Sequence, residues 1–398
     1  MLLPPLLLSI TPAHAQTGPP GIKRDLSQAD VQRASPGAIL GIWPQVGGSV
    51  EHAKAYRILY RSTGLNGEPI VVSGAVFVPD APLPASGKRD VIAWAHPTTG
   101  IVRRCAPSKL PNLSGTIAGL EEMLRRGFVV AATDYPGLGT TGIHPYLVGI
   151  SEARSVLDSV RAARLLPTAA AGNRFAVWGH SQGGHAALFT GEEAPRYAPE
   201  LQLVGVAAAA PPTDLVALFK ADQATTTQSG SSLAAMAVMA WSNVYGVPID
   251  TMLANRARPA FEAVAKSCIQ SVEDVLTLMQ IEGPLKYRFL KADPTTTAPW
   301  RGLMEQNSPG GAPINVPVFI AQGLRDDLIR PAITRRYARR LCKSGTPVFM
   351  KLLNRTGHVY AGYASADAAV AWMADRFRGL PAPNGCGGKL QATVLGRW

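Results

Sequence analysis

The sequence predicts an α/β protein with a mainly parallel sheet of eight strands and one inserted helical region. Apolar runs of strand length alternate with helix-like segments, which is the pattern of βαβ units. Most of the later runs are continuously apolar, as expected for parallel strands that are covered on both faces. The chain has 398 residues, 46% of them hydrophobic, so it is long enough to bury a core of this size.

The eight expected strands begin with an antiparallel hairpin. Residues 55–62 and 69–79 flank a turn that contains Asn66-Gly67, a strong hairpin signal. Six further apolar runs alternate with helix-like segments, so we expect them to form the parallel part of the sheet. These runs are 90–96, 128–134, 174–180, 201–210, 316–323 and 348–354, and the helix-like segments are 114–126, 151–166, 182–193, 331–342 and 364–378.

About a hundred residues between the sixth and seventh strands contain no convincing strand, and a compact domain does not hold a loop of that length. We therefore expect an inserted helical cap over residues 212–312, including helices at 231–241 and 271–280. The core is then expected in two parts, 49–211 and 313–398.

The start of the chain, MLLPPLLLSITPAHAQ, is an apolar run that ends in Ala13-His14-Ala15, a pattern typical of signal-peptide cleavage. It lacks a basic stretch, so we expect an incomplete secretory signal over 1–15 and a mature chain that begins near Gln16. The run is too short and too rich in proline for an anchor helix. We expect a secreted protein without a transmembrane segment, whose residues 16–48 form a Pro/Gly-rich arm.

The formal net charge is +12, and the densest basic run, 330–343, has the pattern of a helix. It carries no RNA-binding or helix-turn-helix signature and no row of stacking aromatic residues. We therefore interpret it as a solvated basic face and expect no nucleic-acid partner.

The four cysteines are Cys105, Cys268, Cys342 and Cys386. None of them lies in a Cys-x-x-Cys pair, which argues against zinc binding and thioredoxin chemistry. An even number of cysteines in an exported chain suggests two disulfides.

The stretch GHSQGG, residues 179–184, lies where an apolar strand ends and a helix begins. Its Gly-x-Ser-x-Gly pattern alone is weak evidence in a chain rich in glycine, so the context decides. A sharp, strained strand-to-helix turn needs glycine on both sides of the serine, because side chains there would collide. The sequence therefore predicts a nucleophile at Ser181.

A serine hydroxyl needs a base, and the base needs an acid that orients it. The chain order in α/β-hydrolases is serine, acid, histidine, and of the seven histidines only His358 follows Ser181 with room for an acid between them. Asp326, in the loop after the penultimate strand, is the expected acid. Asp214, after the preceding strand, stays open as an alternative, and Asp327 is expected to be solvated or to cap a helix.

Two backbone N–H groups are needed to stabilise the oxyanion. One comes from the residue after the nucleophile, Gln182. The second is expected from the loop His96-Pro97-Thr98-Thr99-Gly100. Since Pro97 has no N–H, Thr98 is the expected donor and Thr99 the next choice.

Several stretches together resemble the secretory lipase family of α/β-hydrolases. They are AWAHPTTG, ATDYPGLGTTGIHPYLVG, WGHSQGGHAAL, AAAAPPTDL, FIAQGLRDDLIRP and TGHVYAG, which span the core from about residue 70 to residue 375. The resemblance implies carboxylic ester hydrolysis, with triacylglycerols as the usual substrate, and a helical cap over the active site. It also implies the disulfides Cys105–Cys268 and Cys342–Cys386.

The expected function is that of a secreted, monomeric serine hydrolase without cofactor or metal. It would cleave lipid esters, above all triacylglycerols, through an acyl-enzyme on Ser181, with transient contact to a lipid–water interface. A short-chain or polyester esterase with the same triad stays open, as does an inactive lipid-binding relic. A serine peptidase is disfavoured, because nothing indicates a propeller or a charged specificity pocket.

Overall fold

The computed structural model describes residues 26–44, 50–225, 228–281, 285, 290–387 and 392–395. The predicted signal segment and the first part of the arm lie outside these residues. A mixed ten-stranded sheet forms the centre, in the order β1-β2-β3-β5-β4-β6-β7-β8-β9-β10. The strands are β1 Ile39–Pro44, β2 Ala53–Thr63, β3 Pro69–Pro79, β4 Arg89–Ala95, β5 Val129–Thr133, β6 Ala171–His180, β7 Gln202–Ala209, β8 Val318–Gly323, β9 Val348–Leu353 and β10 Ala392–Leu395.

Strands β1, β2 and β3 pair antiparallel, and β3 is also antiparallel to β5. From β5 to β10 every neighbouring pair is parallel. Most of the parallel strands have largely apolar sequences, and β5 is buried along its whole length. Their carboxyl ends meet at one edge of the sheet, and the site described below lies there.

Helices cover both faces of the sheet. The helices of the core are α1 Gln28–Arg33, α2 Leu113–Thr116, α3 Leu120–Arg125, α4 Gly149–Leu165, α5 Gln182–Tyr197, α11 Pro331–Lys343 and α12 Ala361–Phe377. One face of the sheet packs against α4 and α5, and the other packs against α3 and α12.

All eight expected strands are present, but the predicted strand number is too low. The two additional strands are β1, which lies in the segment expected to be an arm, and β10 in the C-terminal tail. Both are edge strands. β1 is apolar, but it has a register shift between Ile39 and Gly41 and ends in Pro44, and β10 is only 4 residues long, so neither has the uninterrupted pattern of a longer strand. The helix expected over 114–126 is two helices, α2 and α3, separated by Gly119 at φ 82°.

In the described residues between β7 and β8 there are five α-helices. They are α6 Leu215–Thr225, α7 Gln228–Tyr245, α8 Arg258–Lys266, α9 Val272–Ile281 and α10 Trp300–Gln306. They share an apolar cluster around the buried side chains of Trp241, Phe261 and Trp300, which also includes Tyr146 and Leu147 of the core. We refer to these helices as the cap.

Two disulfides pair the four cysteines as the family resemblance implies. Cys105–Cys268 joins the segment after β4 to the cap, next to an isolated bridge between Gly100 and Cys268. Cys342–Cys386 joins the end of α11 to the C-terminal tail. None of the helices in the described ranges combines the length and apolar character that crossing a membrane needs.

Helix α11 contains the basic run and is strongly amphipathic. Tyr337 and Leu341 are buried against the core, while Arg336, Arg339 and Lys343 are exposed. The basic side chains therefore lie on the solvent face of a surface helix, which is the ordinary place for them.

Candidate active site

The turn between β6 and α5 forces Ser181 into the left-handed region, with φ 55° and ψ −122°. Its N–H donates to the carbonyl of Ala209 at 2.9 Å, which helps to hold the turn against the sheet. A Cβ on Gly183 would lie 1.8 Å from the carbonyl oxygen of Ala95, and a Cβ on Gly179 would lie 2.1 Å from that of Gly183. The turn therefore requires both glycines, and it presents the Ser181 hydroxyl at the carboxyl edge of the sheet.

The structure brings Ser181, His358 and Asp326 into one chain of hydrogen bonds. His358 lies in the loop between β9 and α12, and its Nε2 is 2.8 Å from the Ser181 Oγ. Its Nδ1 is 2.9 Å from Oδ2 of Asp326, which lies in the loop between β8 and α11 and is buried.

The Asp326 carboxylate is held by three further donors. Oδ1 accepts from the N–H groups of Leu328 at 3.1 Å and Ile329 at 2.7 Å. Oδ2 accepts from Nε2 of Gln322 at 3.1 Å, and the Gln322 oxygen in turn accepts from the hydroxyl of Thr334 at 2.7 Å. These bonds fix the orientation of the carboxylate toward His358.

The other two aspartates considered from the sequence have different surroundings. Asp214 accepts from the N–H of Ala217 at 2.9 Å, at the start of α6, and its other oxygen lies 3.8 Å from Arg336. Asp327 is exposed and lines a cavity beside Ser181. Of the three aspartates, Asp326 is the one hydrogen-bonded to His358.

The two expected oxyanion donors flank Ser181. Gln182 is the first residue of α5, so its N–H has no acceptor within the helix. Thr98 lines the same groove as Ser181, and its hydroxyl is 2.9 Å from that of Tyr146. The carbonyl of Thr99, the second choice for this donor, accepts from the N–H of Ile269 at 2.9 Å, so Thr99 also joins the loop to the cap.

Ser181 borders two apolar cavities, and Leu233 and Leu328 line both. The larger, of about 370 Å³, is a groove between the Thr98 loop, α9 and the start of α12. Four side chains along it are exposed and apolar, and we call them the apolar rim: Val275, Met279, Val359 and Tyr363. The smaller cavity, of about 70 Å³, has mostly apolar walls, such as Leu215, Leu218 and Phe219, and also includes the charged Asp222, Asp327 and Arg330.

A family model described as secretory lipase matches residues 116–385, about two-thirds of the chain. The chain belongs to the secretory lipase family. This membership makes it a carboxylic ester hydrolase.

This member of the secretory lipase family is similar to other proteins in sequence and in fold. It is 25% identical to lipase A of Arthroderma benhamiae, over 85% of this chain and 73% of the relative. It is 26% identical to a Mycobacterium tuberculosis protein named probable inactive lipase, over 89% of this chain and 81% of the relative. The crystal structure of Candida antarctica lipase A in its closed state matches with a TM-score of 0.74 and 18% identity, over 92% of this chain and 87% of the other. The shared fold is the α/β-hydrolase fold.

In this member of the secretory lipase family, His180 supports the His358 loop. Its Nε2 is 2.9 Å from the carbonyl oxygen of His358. Burial, together with the nearby His358 ring, lowers the pKa of His180 to about 3, so the ring is neutral at pH 7 and Nε2–H donates. A Cβ on Gly362 would lie 2.9 Å from the His180 ring, so this glycine lets α12 approach it. The sequence analysis missed this role, and its only signal was the position next to Ser181.

The side chain of Gln182 is anchored beneath the turn between β6 and α5 that carries Ser181, which we call the elbow. Its Nε2 donates to Oε1 of Glu152 at 2.8 Å and to Nε2 of His144 at 2.7 Å. His144 holds its own Nδ1 2.9 Å from the carbonyl of Pro136, and burial lowers the pKa of His144 to about 4. The neutral His144 ring thus donates from Nδ1 and accepts at Nε2. Sequence reasoning missed both Glu152 and His144.

Within the described ranges, no group of three or more His, Cys, Asp or Glu side chains is arranged to hold a metal ion. The chemistry available at this edge of the sheet is that of a serine hydroxyl, an imidazole, a carboxylate and nearby backbone N–H groups. Such a set suits acyl transfer.

Proposed function

We propose that this protein is a secreted serine hydrolase that cleaves carboxylic esters, above all triacylglycerols, through an acyl-enzyme on Ser181. The observation that carries the proposal is the continuous line from Ser181 Oγ through both ring nitrogens of His358 to Asp326, with distances of 2.8 and 2.9 Å. The first distance is within reach for transfer of the Ser181 hydroxyl proton to His358. The second lets Asp326 hold the imidazole in the tautomer that can accept that proton.

The reaction proceeds in two acyl-transfer steps. Ser181 attacks the ester carbonyl while His358 Nε2 takes the hydroxyl proton, and Asp326 holds the opposite ring nitrogen. The N–H groups of Gln182 and Thr98 stabilise the negative oxygen of the tetrahedral intermediate. His358 then protonates the departing alcohol. A water molecule, deprotonated by His358, attacks the acyl-enzyme in the same way and releases the acid.

A lipid substrate is supported by the surface around the larger groove. Val359 is 70% exposed and Met279 is 47% exposed, so the apolar rim presents hydrophobic side chains to solvent at the entrance to Ser181. Apolar surface of this kind gains free energy on contact with a lipid–water interface and with acyl chains.

A short-chain or polyester esterase is the second candidate, and the smaller cavity favours it. That cavity is only about 70 Å³ and includes Asp222 and Arg330. An alkyl chain long enough to reach these groups would remove water from them without offering hydrogen bonds in return, which costs free energy. If the acyl group enters this cavity, acyl chains are short or carry a polar end.

A series of p-nitrophenyl esters from acetate to palmitate, together with a triolein emulsion, separates these candidates. Hydrolysis of triolein and long-chain esters supports the lipase, whereas activity confined to acetate and butyrate supports the esterase. Ser181→Ala must abolish activity in either case. An inactive wild-type protein whose Ser181 is also unlabelled by a fluorophosphonate probe is the expectation for a lipid-binding relic, and it would overturn the proposal.

The role of the apolar rim has its own control. Met279→Asp and Val275→Asp are expected to lower triolein hydrolysis at least tenfold, with p-nitrophenyl butyrate hydrolysis within about twofold of wild type, because a charge at the rim opposes contact with lipid. Leu83→Asp is the matched control, since Leu83 is equally exposed but precedes β4 at the amino edge of the parallel strands. Equal effects from the rim and control variants would exclude this role of the rim.

Export is part of the proposal. The family is described as secretory, and two disulfides suit an oxidising compartment outside the cytosol. Immunodetection in the culture medium and in the cell fraction of the native host tests it. Retention of the whole pool inside cells would contradict it.

A further inference from the structure

A fully buried histidine–glutamate pair lies beneath the elbow and is not needed for the chemistry described above. His185 Nδ1 is 2.8 Å from Oε2 of Glu152, and His185 Nε2 is 2.7 Å from the carbonyl oxygen of Asn307. Asn307 follows α10, the last helix of the cap. One imidazole therefore joins helix α4 of the core to the end of the cap.

The other oxygen of Glu152 faces the active site. Oε1 accepts from Nε2 of Gln182 at 2.8 Å and from the N–H of Leu147 at 3.1 Å. Gln182 is the proposed oxyanion donor next to Ser181, and Leu147 is a wall of the smaller cavity. A single carboxylate thus holds two parts of the site in place.

One more hydrogen bond seats the end of the cap at the same point, and a second joins the start of the cap to its end. Oδ1 of Asn307 accepts from the N–H of Gly149 at 3.2 Å, at the start of α4. The hydroxyl of Ser308 accepts from the N–H of Leu215 at 3.0 Å, which joins the first cap residue after β7 to the last cap helix. The entry and the exit of the cap are therefore both connected to the residues beneath the elbow.

A contribution to stability alone does not explain this arrangement. A buried ionisable pair contributes little net stability compared with apolar packing, while removing one partner is strongly destabilising. Within the described part of the chain, the Gln182 side-chain oxygen has no hydrogen-bond partner, and burying such an acceptor costs about 1–3 kcal/mol. The amide is oriented by its donor bonds to Glu152 and His144, which favours a role in positioning.

We propose that Glu152 and His185 are positioning residues that couple the seating of the cap to the orientation of the Gln182 N–H, an inference that rests on the proposed roles of Ser181 and Gln182. When the exit of the cap is seated on His185, Glu152 holds the Gln182 side chain, and the peptide between Ser181 and Gln182 points its N–H at the oxyanion. When the exit lifts, the amide loses its anchor and the oxyanion site loosens. A seated cap and a competent oxyanion site therefore occur together.

The test uses the full chain with three variants and one control. Glu152→Gln and His185→Gln weaken the pair, and Gln182→Leu keeps the backbone N–H but removes the amide that Glu152 holds. Asp158→Asn is the matched control, because Asp158 is an equally buried carboxylate on α4 that is hydrogen-bonded to Ser62 and paired with Arg161, apart from the residues around the elbow. For each variant we measure Tm, the kcat and KM for p-nitrophenyl butyrate, and the affinity for an alkylboronic acid.

We expect kcat to fall about 10- to 100-fold in the three variants while KM stays within about threefold, because an oxyanion donor acts on the transition state. Affinity for the boronic acid, whose tetrahedral adduct on Ser181 mimics that state, should fall by a similar factor. The exchange of amide hydrogens around Asn307 should be faster in His185→Gln. Asp158→Asn should lower Tm to a similar degree with kcat within about twofold.

Gln182→Leu decides the outcome if the buried pair cannot be altered without unfolding, because this variant leaves the pair intact. A folded Gln182→Leu protein with unchanged kcat and boronic-acid affinity would overturn the inference, as would equal losses of kcat in Asp158→Asn. Wild-type protein and Ser181→Ala are measured in the same series. An inactive wild type, or activity that survives Ser181→Ala, refutes the proposed function itself and removes the basis of the inference with it.

Discussion

The disulfide Cys105–Cys268 offers a test of how the cap serves the site. We consider its removal by the double substitution Cys105→Ala and Cys268→Ala. The matched control is the double substitution Cys342→Ala and Cys386→Ala, which removes the other disulfide, between α11 and the tail. Each variant loses one disulfide. The two variants differ in the length of the loop that the lost bond closes and in the segments that it joins.

The expected losses in stability follow from the lengths of the loops. The sequence separations are 163 and 44 residues. With a chain-entropy relation that grows with the logarithm of loop length, the two bonds contribute about 5 and about 4 kcal/mol respectively. Removal of Cys105–Cys268 should therefore lower the free energy of unfolding by about 1 kcal/mol more than removal of Cys342–Cys386.

The effects on activity should differ more than the effects on stability. Cys268 forms an isolated bridge with Gly100, and the next residue, Ile269, donates its N–H to Thr99. These contacts adjoin Thr98, a proposed oxyanion donor. Releasing Cys268 lets the cap move relative to that donor, so we expect kcat/KM for p-nitrophenyl butyrate to fall about tenfold, a modest share of what a lost oxyanion donor costs. The control variant should stay within about twofold.

The assay is urea unfolding together with ester kinetics at a temperature at which each variant is folded. Fluorophosphonate labelling of Ser181 counts the competent sites, so that a lower fraction of folded protein is not mistaken for a lower kcat. Equal kinetic losses in the two double variants would refute the link between the cap and the oxyanion loop. A larger loss of stability from removing Cys342–Cys386 would refute the loop-length reasoning.

Three further predictions concern the acid, the elbow and the buried histidines. Asp326→Asn should lower kcat about 10³- to 10⁴-fold, because His358 loses the acceptor that fixes its tautomer. In the control Asp214→Asn, kcat for the same ester should stay within about twofold of wild type. The reverse order of effects would identify Asp214 as the acid. Gly183→Ala should abolish fluorophosphonate labelling, since its Cβ would lie 1.8 Å from a carbonyl oxygen of β4; a labelled, soluble variant would contradict the elbow geometry. Burial lowers the pKa of His144 to about 4 and that of His180 to about 3, from 6.5. In the unfolded chain these histidines bind a proton below about pH 6.5, whereas in the folded chain they do so only near pH 3–4. The free energy of unfolding should therefore fall as the pH drops below about 6.5. A free energy of unfolding that stays constant from pH 7 to pH 4.5 in urea titrations would contradict this.

The parallel strands from β4 to β9 were predictable because burial on both faces leaves a largely apolar run. Strand β5 is buried along its whole length, and its sequence FVVAATD admits few other interpretations. Strand β1 shows the opposite case. Its residues are mostly half-buried, and its apolar run contains Gly41, where the register with β2 shifts, and ends in Pro44. Glycine and proline weaken the signal of a strand in the sequence.

The same distinction applies to the site. Ser181, Asp326 and His358 could be proposed from the sequence because each follows a recognisable parallel strand in a fixed chain order. Their supporting residues have no such marker. Glu152 lies inside a helix, and it meets His185, 33 positions away, only through the packing of α4 on α5. Pairings of this kind depend on tertiary distances that one sequence does not contain.

The order of the strands explains why cap helices line the cavities beside Ser181. The elbow follows β6 and the acid loop follows β8, and β7 lies between these two strands in the sheet. Because parallel strands end at the same edge, the chain that leaves β7 emerges between Ser181 and Asp326. An insertion at that point starts between the nucleophile and the acid, so its first helices have to pack beside both of them. Contacts between the cap and the residues beneath the elbow therefore follow from the topology. The hydrogen bond from His185 to Asn307 is the contact through which the position of the cap can affect the geometry at Ser181.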